Sequence, residues 1–196
     1  LLHRKSPPFY PSTLNKAIQE FKLKNYREAS ELFLKSLEEK PNNPKKGFIW
    51  SNLGLTYEKM GQLDKAIECC KKAVNLNSNN EIFWYNLGFV YFKRKNYEKS
   101  INSFKKSLEI DPNDKSTLLN LGMVYKSIDN FEEAIKYYER VKNLYPRNLK
   151  ALKNLGYFYS RYNSYKEALH NFLKINEICP DDYKSFYNVG ISYSKL

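Results

Sequence analysis

Apolar residues along this chain return with helical rather than strand period. The segments WSNLGLTY (50–57), WYNLGFVY (84–91), LLNLGMVY (118–125), LKNLGYFY (152–159) and FYNVGISY (186–193) each place a bulky apolar residue, a Leu or Val and a Tyr at i, i+3 and i+7. That spacing lines one face of an α-helix. Twelve residues after the glycine of each of the first four segments comes a small residue (Ala66, Ser100, Ala134, Ala168), and four further on a larger one (Cys70, Phe104, Tyr138, Phe172). The second face so formed predicts a second helix in each of those four segments. Asn25, Asn96, Asn130 and Ser164 stand where these second helices begin, and Glu28, Glu133 and Glu167 follow three of them at capping-box spacing.

The period is strict. Gly54, Gly88, Gly122, Gly156 and Gly190 are each 34 residues from the last, and Pro112, Pro146 and Pro180 close three of the units. A repeat of this kind fixes the fold before any local motif does. A glycine inside a helix costs about 1 kcal/mol against alanine, so its regular return predicts that two helices approach closely there.

These residues resemble the tetratricopeptide repeat (TPR), whose pattern is a bulky residue, Leu-Gly, Tyr, a small residue, an aromatic and a closing Pro. The units run 47–80, 81–114, 115–148 and 149–182, with a truncated unit at 183–196. A degenerate first unit occupies 12–46, with Lys16-Ala17 for Leu-Gly, Ala29 at the small site, Phe33 at the aromatic one and Pro41 closing. Residues 1–11 form an N-terminal tail, and 12–196 one TPR domain. The resemblance implies an all-α fold, a right-handed α-solenoid of stacked antiparallel helix pairs.

Composition narrows the chemistry. No apolar run approaches the roughly 20 residues that cross a bilayer. Cys69 and Cys70 are neighbours and Cys179 stands alone, so no disulfide framework is expected. That favours a reducing compartment, the cytoplasm, with the periplasm left open. The chain opens on Leu1 and stops at Leu196 inside a helical pattern, as a piece of something longer would. Of seven glycines, five keep the repeat, while Gly47 and Gly61 fall at a unit start and an intra-unit turn, leaving none for a phosphate-cradling loop. The only histidines are His3 and His170, neither with a second ligand at metal-binding spacing. No catalytic constellation, cofactor site or metal site is therefore expected, and the segment reads as a non-enzyme.

In TPR arrays the first helices line the concave groove. By that resemblance the peptide-facing residues are Asn52, Asn86, Asn120, Asn154 and Asn188, with Tyr85, Phe89, Leu119, Met123, Lys126, Lys153, Tyr157, Arg161, Lys184 and Tyr187. The asparagine row is similar to the ladder inside the TPR arm of O-linked N-acetylglucosamine transferase. An amide both donates and accepts, so the row suits the backbone of an extended peptide or the neighbouring helices equally. Phe48, Ile82 and Phe92 extend an apolar stripe. Basic residues on this face (Lys59, Lys93, Lys126, Lys150, Lys153, Arg161, Lys184, Lys195) face Glu58 alone, a greater imbalance than the 33 Lys+Arg and 21 Asp+Glu of the whole chain. The groove is thus expected to steer acidic or amphipathic segments. The dicarboxylate clamp of chaperone-binding TPRs is not matched, because Leu119 and Met123 stand where its first Lys and Asn belong.

The expected function is a non-catalytic scaffold that binds an extended or helical segment of another protein. The alternative is the substrate-selecting arm of a larger enzyme, and nucleic-acid binding ranks last because no motif for it is present. The last helix, with Phe186, Val189 and Tyr193 uncovered, is expected to favour self-association.

Overall fold

Eleven helices make up the described residues, 12–39 and 43–196, of the computed structural model: α1 (Thr13–Lys22), α2 (Tyr26–Glu39), α3 (Lys46–Lys59), α4 (Leu63–Leu76), α5 (Glu81–Lys93), α6 (Tyr97–Ile110), α7 (Lys115–Ser127), α8 (Phe131–Leu144), α9 (Leu149–Arg161), α10 (Tyr165–Ile178) and α11 (Tyr183–Lys195). The tail and the closing Pro41 lie outside the described residues. The fold is all-α. The helices fall into two compact units, one ending at Lys95 and the other beginning at Asn96. Within the first, α1 packs on α2, α2 on α3, and α3 on both α4 and α5; within the second, each of α6 to α11 packs on its neighbour in the chain.

The turn joining the two helices of a pair shows how short-range chemistry sets this geometry. Lys24, Gly61, Lys95, Asp129 and Asn163 all have positive φ, between 56° and 75°. The N–H of the residue after four of them reaches back six residues, counting inclusively, to a first-helix carbonyl: Asn25 to Glu20, Gln62 to Tyr57, Asn130 to Tyr125 and Ser164 to Tyr159, at 2.8–3.0 Å. This is the Schellman closure, which satisfies an otherwise orphaned carbonyl and turns the chain sharply into the second helix. Only Gly61 adopts the conformation without a Cβ penalty. Replacing the exposed Lys24 by glycine should therefore raise stability by about 0.5–1 kcal/mol, the steric relief exceeding the unfolded-state entropy that glycine adds. Urea denaturation of the Lys24→Gly chain checks this; an unchanged or lower midpoint contradicts it.

The caps differ in part from expectation. Asn96 and Asn130 do accept the N–H of Lys99 and Glu133 at 3.2 Å. The reciprocal half of the capping box is replaced at Glu133, whose carboxylate pairs with Lys136. Ser164 makes no side-chain cap bond, and the Asn25 amide donates to Glu20 at 2.7 Å. The Schellman bond already fixes the entry to these helices. First helices carry side-chain caps of their own: Ser12, Asn80, Asp114 and Asn148 each accept the N–H three residues on.

Core packing follows the small-to-large rule. In the first unit Ala17, Ala29, Phe33, Ile49 and Leu53 are fully buried together, and Ala66, Cys70, Ala73 and Phe83 form a second cluster. In the second unit Leu152, Ala168, Phe172 and Ile175 pack as one group. The glycines explain why the helices come so near. A Cβ on Gly54 would lie 2.6 Å from Cys70 Sγ, one on Gly122 2.8 Å from the Tyr138 ring, and one on Gly156 2.5 Å from the Phe172 ring. Each clash is with the residue sixteen positions on, the large site of the paired helix. Beyond its own helix and chain neighbours, Gly190 has no heavy atom within 4 Å of a would-be Cβ, and position 206, sixteen residues on, lies past Leu196. One glycine, Gly47, departs from the sequence reading. Read as a unit-start residue, it is buried and would meet the Phe83 ring at 2.8 Å, so it holds α3 close to α5.

Candidate peptide-binding face

The expected site residues all lie on first helices, but their surroundings differ. In the first unit Asn52 is half-buried, whereas Asn86 is buried and donates its amide to Ser51 Oγ at 2.8 Å, joining α5 to α3. For Asn86 the neighbouring-helix alternative is thus the one observed. Tyr85 and Phe89 stack, with ring centroids 6.4 Å apart, and the Lys93 ammonium sits 5.3 Å from the Phe89 centroid. Phe48 and Ile82 are each 47% exposed, while Phe92 is half-buried. Glu58 is nearly buried beside Lys59, with 3.1 Å between their charged atoms.

In the second unit Asn120 is buried and has its own partner, and Leu119 and Met123 are half-buried. Asn154 donates to the Lys150 carbonyl at 2.8 Å and accepts from Lys126 Nζ at 3.0 Å. Lys126 also lies 5.4 Å from the centre of the Tyr157 ring, whose hydroxyl oxygen is 3.4 Å from an Arg161 nitrogen. The Arg161 guanidinium stands 4.8 Å above Phe131. Two cations thus lean on aromatic faces, and among the described residues neither forms an ion pair.

Four of the expected residues converge. Lys153 and Tyr157 of α9 and Lys184 and Asn188 of α11 surround a cleft of about 230 Å³, floored by Phe172 and Ile175 of α10. Tyr187, 71% exposed, stands next to them in the chain. Sequence reasoning missed Ser160, Asp182 and Ser185, which complete the wall. Asp182 matters most. It pairs with Lys153 at 2.5 Å, and that bond holds its carboxyl below the usual carboxylate range. The sequence reading counted Glu58 as the lone acid among these residues and so missed Asp182. A signal for it existed: Asp182 continues the 34-residue series of first-helix caps Asn80, Asp114 and Asn148.

Away from this face, Cys69 and Cys70 are buried and Cys179 is half-buried, all as free thiols. Burial pushes the Cys69 thiol up to about 11 and Cys70 to about 12, so both remain protonated and unreactive at neutral pH. Among the described residues no group of three or more His, Cys, Asp and Glu side chains is placed to hold a metal ion. No helix among them is long and apolar enough to cross a membrane.

Antiparallel helix pairs on a 34-residue period, with a small residue of one helix seated on a large one of the next, define a helical-repeat protein. The chain belongs to the tetratricopeptide repeat family: residues 48–80 match one tetratricopeptide repeat profile and residues 80–147 another. None of the curated proteins compared with it matches. Solved structures do. The chain is similar to MamA, with a TM-score of 0.75 at 25% identity, over 86% of this chain and 96% of that one. A tetratricopeptide repeat protein from Parabacteroides merdae gives a TM-score of 0.77 at 18% identity, over 93% of this chain and 72% of that one. YrrB, described as a TPR protein with an unusual peptide-binding site, gives 0.69 at 21% identity, over 94% of this chain and 91% of that one. Proteins of this family bind other proteins or peptides.

Proposed function

We propose that the chain is a non-catalytic scaffold that holds an acidic or amphipathic segment of another protein on the face formed by the first helices α9 and α11 of its second unit. One observation carries the reading. On α9 and α11, among the described residues, Lys150, Arg161, Lys184 and Lys195 form no ion pair, while the one acid at the cleft, Asp182, is already committed to Lys153. This leaves a net positive field around an apolar opening, which attracts anions and rewards an apolar anchor. The peptide-binding description of YrrB is in keeping with this use of the fold.

The test is fluorescence anisotropy with labelled short peptides, one rich in Glu and Asp around a central Leu or Phe and its Lys-rich counterpart. The acidic peptide should bind and should weaken several-fold as salt is raised through the range where exposed charges are screened. The basic peptide should not bind. Equal binding of both, or of neither, contradicts the reading.

A further inference from the structure

We propose that the cleft between α9 and α11 is an anchor pocket for one leucine- or phenylalanine-sized side chain of an acidic segment, with Lys184 receiving a carboxylate carried beside that side chain. The inference rests on the peptide-binding reading above and specifies what the face selects. Size comes first. At about 230 Å³ the cleft falls below the roughly 300–1,000 Å³ of pockets that enclose a whole small ligand. It has room for a side chain, and a nucleotide or cofactor would not be enclosed.

The walls then fix the chemistry. Phe172 is 5% exposed and Ile175 fully buried, so the floor is the edge of the helix core and offers nothing to a polar group. A charged or amide side chain entering there would lose its hydration without a partner. At the rim Lys153 and Asp182 neutralise one another at 2.5 Å. Lys184 stands exposed on the opposite helix with no ion pair among the described residues, and the half-buried Asn188 adjoins the same opening. One uncompensated cation at the mouth of an apolar hole fits an apolar side chain with an acidic neighbour. A basic neighbour would be repelled by Lys184, whose charge no acid at the cleft offsets.

The experiment uses the full chain and labelled peptides that share one acidic background and differ at one central position, Phe or Ser. The Phe peptide should bind about tenfold tighter than the Ser peptide, the scale of one apolar side chain moved out of water. Ser160→Trp, which fills the cleft from α9, should remove that preference. Lys184→Glu, an exposed change that serves if Ser160→Trp does not fold, should abolish the advantage of a Glu over a Gln beside the Phe. Equal binding of the two peptides to the unaltered chain overturns the pocket, as does a Phe preference that survives Ser160→Trp. The scaffold reading stands in both cases. If neither peptide binds the unaltered chain, the scaffold reading fails as well. Tighter binding of a single-stranded oligouridylate than of the Phe peptide overturns the acidic-peptide assignment.

Discussion

Gly54→Leu is expected to destabilise the chain by about 3 kcal/mol, the upper part of the range for overpacked cores. The clash begins at the Cβ itself, 2.6 Å from Cys70 Sγ and 3.1 Å from the Ala66 carbonyl oxygen. The sulfur can rotate away, but the carbonyl belongs to the backbone of α4 and moves only if the whole helix moves. Leucine's better helix propensity returns only about 1 kcal/mol. The internal control is Gly190→Ala, where nothing beyond its own helix and chain neighbours lies within 4 Å of the new Cβ. There the propensity gain of about 1 kcal/mol should appear unopposed. Urea denaturation followed by far-ultraviolet circular dichroism measures both. Similar shifts at the two sites would mean that helix approach does not set the repeat glycine.

Tyr138→Phe should stabilise the chain by about 1–2 kcal/mol. Tyr138 is fully buried beneath Gly122, and its hydroxyl has no hydrogen-bond partner. Burial alone drives its ionisation far above the ordinary tyrosine value. The corresponding site holds phenylalanine in three other pairs, Phe33, Phe104 and Phe172, each with its ring in the core. Removing the hydroxyl leaves the ring packing intact, within 6.1 Å of the Phe158 centroid, and removes an unmet desolvation cost. A lower denaturation midpoint for Tyr138→Phe would show that the hydroxyl is satisfied in solution.

The helix pairs were legible because their determinants recur. One misplaced small residue proves nothing, but Ala66, Ser100, Ala134 and Ala168 in register, all fully buried, do. What does not recur was lost. Gly47 packs against Phe83 and has no counterpart in the other units, so nothing in the spacing separates it from a loop glycine. The left-handed turn was hidden for the opposite reason. Its position recurs, but Lys24, Lys95, Asp129 and Asn163 occupy it besides Gly61, and the Schellman bonds hold the conformation without asking for glycine. The face was legible as a face, since helical period alone puts Lys153 and Tyr157 on one side of α9. The cleft was not. It depends on the gap between α9 and α11, on the exposed edge of Phe172, and on Asp182 turning toward Lys153, none of which the period contains. The asparagine row shows the same limit, because identical residues at identical repeat positions find different partners: Ser51 for Asn86, Lys126 and Lys150 for Asn154.

Docking on the first helices α9 and α11 of the second unit can be read residue by residue from chemical-shift mapping. Amide signals of the isotopically labelled chain are followed as the acidic Phe peptide is added. Saturable shifts are expected at Tyr157, Ser160, Ser185 and Asn188 of α9 and α11, with Lys166 and His170 of α10 unmoved. Shifts centred on the α10 residues, or spread evenly over both units, would contradict it.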